Sequence, residues 1–149
     1  SGNQNSWAIK ALNADGSNFF VLIATNADAG NNYFATSNAT LTAGAWSQIG
    51  FVYDGSGAGN AARLKTYKDA VQLAGAFSGT IPATLTNSNE PVRVAYPIIN
   101  NPAFGQYFDG LIDDVRIYNR ALSDSEIAEL YRMDTTGAVT TTGALSSSP

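Results

Sequence analysis

Apolar and polar residues alternate in short runs along most of this chain. In residues 111–118 (LIDDVRIY), Val115 and Ile117 fall on one face of an extended segment, and Asp114, Arg116 and Tyr118 on the other. That is the two-residue period of a strand. Residues 46–54 repeat it, with Ile49, Phe51 and Tyr53 on one face. Trp7–Leu12, 19–25, Tyr33–Thr36, 63–68, 71–73 and 92–96 read as further short strands. Turn chemistry separates them: Asp15-Gly16 inside 13–18, the polar stretch 26–32, the loop 54–60 (DGSGAGN) and Lys68-Asp69-Ala70. Strands at this spacing predict an all-β sandwich.

The period changes once. Ser123 is placed to cap a helix, and Glu126, three residues on, completes a capping box. Leu122 and Ile127 stand where a hydrophobic staple would pack, and Ile127, Leu130 and Tyr131 form one apolar stripe. Arg132 falls near the helix end, where a cation suits the dipole. The pattern predicts a single short C-terminal helix docked on a larger body. Residues 135–149 are mostly Thr, Ser, Gly and Ala and read as a flexible tail or linker. The predicted division is a folded domain over 1–134 and a tail over 135–149.

Composition narrows the chemistry. The 149 residues suffice for one domain, and hydrophobic residues make up 44% against 13% charged. With no Cys and no His, disulfides, Cys/His zinc sites, cysteine nucleophiles and histidine-based triads are excluded. A net charge of −4 with eight scattered Lys and Arg argues against a nucleic-acid partner. No run reaches membrane-spanning length. The opening SGNQNSW, without Met, reads as a processed product or a fragment.

Three segments together, 45–56 (AWSQIGFVYDGS), 64–70 (LKTYKDA) and 108–131, resemble the laminin-G-like jelly-roll modules of the concanavalin A-like lectin/glucanase superfamily. In those modules a Trp-led strand ends in Tyr-Asp-Gly-Ser, and a Leu-x-x-Tyr-x-Asp-Gly strand follows. The last strand then reads Gly-x-Ile-Asp-Asp/Glu-Val-Arg-Ile-Tyr-Asn-Arg-Ala-Leu before a Ser-capped helix. Residues 110–122 match almost position for position, and the resemblance covers roughly 7–131. It implies an antiparallel two-sheet jelly-roll sandwich with one short C-terminal helix. Such modules begin with more strands than are seen here, so strands are expected before Ser1 or from elsewhere in an assembly. An edge left unpaired by that loss invites self-assembly by strand donation. Ala70 replaces the family's turn glycine, which makes a positive φ costlier and points to a different turn type.

Candidate sites follow from residue chemistry. By parity Asp113 falls on the Val115/Ile117 face, and a carboxylate on a core face must be paired, hydrogen-bonded or metal-bound. Two roles fit: a calcium ligand with Asp109 and loop carbonyls, or an acceptor for backbone N–H groups or an Arg. The loop 96–107 (YPIINNPAFGQY) lies where the resembling pentraxins carry acidic calcium ligands, yet it holds no carboxylate. It offers Tyr96, Phe104 and Tyr107 beside Asn100, Asn101 and Gln106. Aromatic faces stack on sugar C–H surfaces and amides grip hydroxyls, which suits a glycan; core plugs and turn-forming Asn residues fit the same pattern. Asp54-Gly55-Ser56 and Asp28 read first as turn and loop residues.

The glucanases of that superfamily carry a Glu-x-Asp-x-x-Glu strand, and nothing here matches it. The expectation is therefore a non-catalytic module of a secreted or cell-surface protein. It would bind a glycan or an extracellular protein at a loop rim, with calcium as the cofactor implied. A structural subunit of a surface layer or filament, with no small ligand, is the alternative.

Overall fold

The computed structural model describes residues 7–12, 18–23, 33–36, 40–85, 92, 94, 108 and 110–136. In chain order the elements are β1 (Trp7–Leu12), β2 (Asn18–Ile23), β3 (Tyr33–Thr36), β4 (Ile49–Tyr53), α1 (Asn60–Arg63), β5 (Leu64–Lys68), β6 (Val71–Gln72), β7 (Ala76–Ser78) and α2 (Asp124–Thr136). The fold is mostly β. One antiparallel sheet has the order β1-β2-β3-β7 and a second the order β4-β5-β6.

The alternation read from the sequence places the core. In the second sheet Phe51 stands opposite Thr66 and Tyr53 opposite Leu64. Leu64 clusters with Val21 of the first sheet and with Ile81, and Trp7, Phe51, Tyr53, Leu73 and Phe77 pack around them. The rings of Trp7 and Phe51 lie 5.5 Å apart at 55°, joining β1 to β4, a tilted geometry that suits aromatic quadrupoles. Tyr67, on the opposite face of β5, is also buried. β5 is thus covered on both sides, as befits the middle strand of its sheet.

The hairpin between β5 and β6 corrects one expectation. Lys68 pairs with Val71, leaving Asp69 and Ala70 as a two-residue loop, and both have positive φ (50° and 63°). That is the type I′ pattern, whose twist matches the flanking strands. Ala70 thus takes the positive φ that its Cβ makes costly. Asp69 supplies the compensation: its N–H donates to Gln48 O at 2.9 Å, and its Oδ1 accepts the Gln48 N–H at 2.9 Å. It thereby extends the β4–β5 ladder by one pair.

The second correction concerns residues 111–118, expected as the last strand. They form no strand, and Val115 and Ile117 are 57% and 62% exposed. Asp114 has φ +49°, a left-handed conformation that breaks an extended run. The alternation in this segment states which face would be buried on pairing; it does not supply the partner. Val92 and Val94, from the expected strand 92–96, are likewise exposed and outside any strand. Two elements were not anticipated. β7 spans three residues and α1 a single turn, both too short to carry a period.

Candidate functional site

The expected binding rim, Tyr96, Asn100, Asn101, Phe104, Gln106 and Tyr107, lies outside the described residues, as does Asp109. What is described is the segment by which the loop returns to the fold. Phe108 is 47% exposed, and its ring lies over Gly110, where a Cβ would come within 2.8 Å of Phe108 Cε1. Leu111, Ile112, Val115, Ile117 and Tyr118, which follow it in sequence, are exposed as well. A row of large apolar side chains in water is unusual for a folded surface.

Asp113 is exposed rather than on a core face. Val115 and Ile117, which parity puts on the same face, are exposed with it, because the segment forms no strand. The Asp113 Oδ1 accepts the N–H of Asp114 at 2.8 Å, and Asp114 Oδ1 pairs with Arg116 Nη2 at 3.3 Å. No group of three or more carboxylates gathers among the described residues.

At the β4–α1 end the polar groups build a rigid corner. Asp54 Oδ1 accepts the Ser56 hydroxyl at 2.6 Å and the Ser56 N–H at 3.0 Å. The hydroxyl first, then the N–H, holds the Asp54 carboxyl below its usual range. Its carboxylate is used in forming the turn. Gly55 is required by space: a Cβ would lie 2.1 Å from Ala83 O. The Tyr53 hydroxyl donates to Pro82 O at 2.7 Å. Asn60 holds the Ile81 N–H and Gly79 O, and Arg63 donates to Gly57 O and Ile81 O. Sequence reading missed Asn60 and Arg63, because their partners are backbone atoms of a distant loop. The only local hint was a Tyr-Asp-Gly turn followed by small residues.

The other polar cluster holds α2. The expected capping box is present: Ser123 N–H donates to Glu126 Oε2 at 2.8 Å, and the Glu126 N–H reaches Ser123 Oγ at 3.3 Å. Arg120 grips Glu126 through both terminal nitrogens. That guanidinium first, then the Ser123 backbone and hydroxyl, pulls the Glu126 carboxyl down to about 2. Leu122, Ile127, Leu130 and Tyr131 are half-buried, as the staple and stripe predicted. Asp124 accepts hydrogen bonds from Tyr67 (2.7 Å) and Lys65 (3.3 Å) of β5. These lower the Asp124 carboxyl, the Tyr67 bond most. Arg132 pairs with Glu129 within the helix.

A half-open cavity of about 230 Å³ lies beside β5, lined by Leu64, Thr66, Leu73 and Phe77 among others. Thr66 is fully buried, and its Oγ1 has no hydrogen-bond partner among the described residues. The cavity is small for a ligand site, and Lys65 and Gln72 share its lining with the apolar residues.

A search of curated proteins finds no match. Among solved structures, an S-layer domain-containing protein from Clostridium thermocellum ATCC 27405 (residues 221–444) is similar, with a TM-score of 0.45 and 21% identity. The match covers 76% of this chain and 51% of that one, so the chain spans about half the length of that structure. Among the described residues, no helix is long and apolar enough to cross a membrane. A laminin G family model, described as the concanavalin A-like lectin/glucanases superfamily, matches residues 1–128. The matched span contains both sheets, the Tyr-Asp-Gly-Ser corner and the capped start of α2, and the chain therefore belongs to this laminin G-like family of the concanavalin A-like superfamily.

Proposed function

We propose that the chain is a non-catalytic recognition module of a secreted or cell-surface protein, built on a two-sheet jelly roll and binding a carbohydrate or protein at the loop rim 96–107. The observation that carries this reading is the exposure of the apolar residues that follow that loop in sequence. There Phe108 and Leu111 are 47% and 79% exposed, next to a loop of aromatics and amides. Aromatic faces and amides are the chemistry that grips sugar rings and hydroxyls. Asp109 and Asp113 are the carboxylates that would support calcium there, completed by loop carbonyls and water. The non-catalytic part is supported by the helix carboxylates, since Glu126 is held by Arg120 and its cap, and Glu129 by Arg132. A glycan-array screen with and without calcium tests the reading. Binding that is lost in Asn100→Ala, Asn101→Ala and Tyr107→Ala is the expected result. No glycan bound in either condition sinks the carbohydrate reading, and a melting temperature unmoved by chelation sinks the calcium support.

A second reading, an assembly subunit of a surface layer or filament, is favoured by a specific observation. The segment 111–118 has the alternation of a strand but forms none, and its apolar side chains stand in solvent.

A further inference from the structure

We infer that the cavity beside β5 binds a single-ring phenol, with the ring against Leu64, Leu73 and Phe77 and the hydroxyl at Thr66. The site is independent of the loop rim, so the two readings stand or fall separately. Topology opens the cavity. The Leu73 N–H donates to Thr66 O at 2.8 Å, carrying the β5–β6 ladder one residue past the end of β6. Tyr67 stands opposite Gln72, and in that register Ala74 and Gly75 would stand opposite Lys65 and Leu64. The chain leaves instead for β7, which pairs with β3 in the other sheet. Leu64, Lys65, Ala74 and Gly75 all line the gap left by this crossover.

Size and lining select the class of ligand. Leu64 and Thr66 are fully buried, Leu73 and Phe77 half-buried, and Gln72 and Ala74 exposed, so the cavity runs from an apolar floor to an open mouth. A dry apolar cavity of about 150 Å³ holds benzene. At about 230 Å³ this one has room for one ring and a short substituent. A sugar fits it poorly, because hydroxyls all round a pyranose would be set against Leu64, Leu73 and Phe77 without partners.

Thr66 selects the polar group. Its Oγ1 is buried with no hydrogen-bond partner among the described residues. Leaving a buried hydroxyl unpaired is costly, and a ligand that supplies the partner recovers that cost. A phenol hydroxyl donates and accepts, as does the threonine hydroxyl, so the pair forms whichever of the two donates. An anionic ligand is disfavoured, because the cation in the lining, Lys65, already pairs with Asp124 at 3.3 Å. Free small molecules and tyrosine side chains both carry a phenol, and the open mouth admits either.

Titration of the isotope-labelled full chain with p-cresol, toluene and N-acetyltyrosinamide, followed by amide chemical shifts, tests this. A ligand of one ring should bind with a Kd of about 1 mM and move the amides of residues 64–66 and 73–77. N-acetyltyrosinamide binding as tightly as p-cresol, or more so, identifies a tyrosine side chain as the occupant; weaker binding identifies a free phenol. Thr66→Val keeps the shape of the side chain and removes the hydroxyl. It should lower the ratio of p-cresol to toluene affinity about threefold to tenfold while toluene still binds. Ala74→Trp, at an exposed position of the mouth, should weaken all of the ligands. A wild-type chain that binds neither phenol up to about 10 mM overturns the proposal. So does binding that moves only amides elsewhere, or an affinity ratio that Thr66→Val leaves unchanged.

Discussion

The phenol of Tyr67, buried on β5, donates a 2.7 Å hydrogen bond to Oδ1 of Asp124, the first residue of α2. The two residues are 57 apart in sequence, and the bond fixes where the helix begins on the outer face of the second sheet. Burial, then the carboxylate, raises the Tyr67 phenol above its ordinary pKa, so it remains a donor throughout the physiological range. Tyr67→Phe should leave the sheet intact but release the helix start. Hydrogen exchange over the first turn of α2 should accelerate, with β4 and β5 amides unchanged. Equal protection of the helix in both proteins would show that the stripe of Ile127, Leu130 and Tyr131 suffices to dock it.

Ala70 occupies the second position of a type I′ turn at φ 63°. An L residue in the left-handed region is strained by about 1–2 kcal/mol, partly offset in a glycine variant by the greater freedom of the unfolded chain. Ala70→Gly should therefore stabilise the fold by about 0.5–1 kcal/mol in urea denaturation. Asp69→Gly is the informative contrast. It removes the carboxylate that holds the Gln48 N–H, so it should fail to stabilise despite the same relief of φ.

Much of this was readable from the chain, and the pattern of success is physical. Local signals held where the partner is local. The capping box lies within four residues, and Ile49, Phe51 and Tyr53 face the core because β4 has a ladder partner beside it. Segment 111–118 has the same quality of alternation as β4 yet forms no strand, since periodicity records a capacity to pair rather than a pairing. Asp113 was misplaced onto a core face for that reason. Asn60 and Arg63 were invisible because a side chain that binds the backbone of a distant loop leaves no spacing to detect. All six expected rim residues and Asp109 lie outside the described residues, so the site rests on the chemistry of its sequence.

Thr66 brings a hydroxyl into the inner face of β5 with no partner among the described residues, next to Leu64, Leu73 and Phe77. A buried hydroxyl without a hydrogen bond costs about 1–3 kcal/mol. Valine has nearly the same shape and a strong strand preference. Thr66→Val should accordingly raise stability by about 1 kcal/mol, measured as a higher denaturation midpoint at an unchanged m value. A loss of stability would instead reveal that the hydroxyl has a partner in solution, a water in the adjoining cavity being the simplest.

The clamp of Arg120 and Ser123 on Glu126 makes the start of α2 sensitive to acid. The Glu126 carboxyl ionises at about 2 in the folded chain, against an ordinary value of 4.5. A carboxyl depressed by folding stabilises fully above its unfolded pKa, and that contribution fades as pH falls toward the folded value. The window is therefore about pH 4.5 down to about 2. Across it the N-terminus of the helix should loosen, because protonated Glu126 can no longer accept from Arg120 while serving the cap. Glu126→Gln keeps an acceptor for the Ser123 N–H but loses the charge. Wild type should be the more stable protein at pH 6, and the gap should close progressively below pH 4.5, as followed by urea denaturation at each pH. Because the side chain is solvent-exposed, added salt at pH 6 should narrow the same gap. A gap that is independent of pH would place the helix's stability in the staple of Leu122 and Ile127 instead.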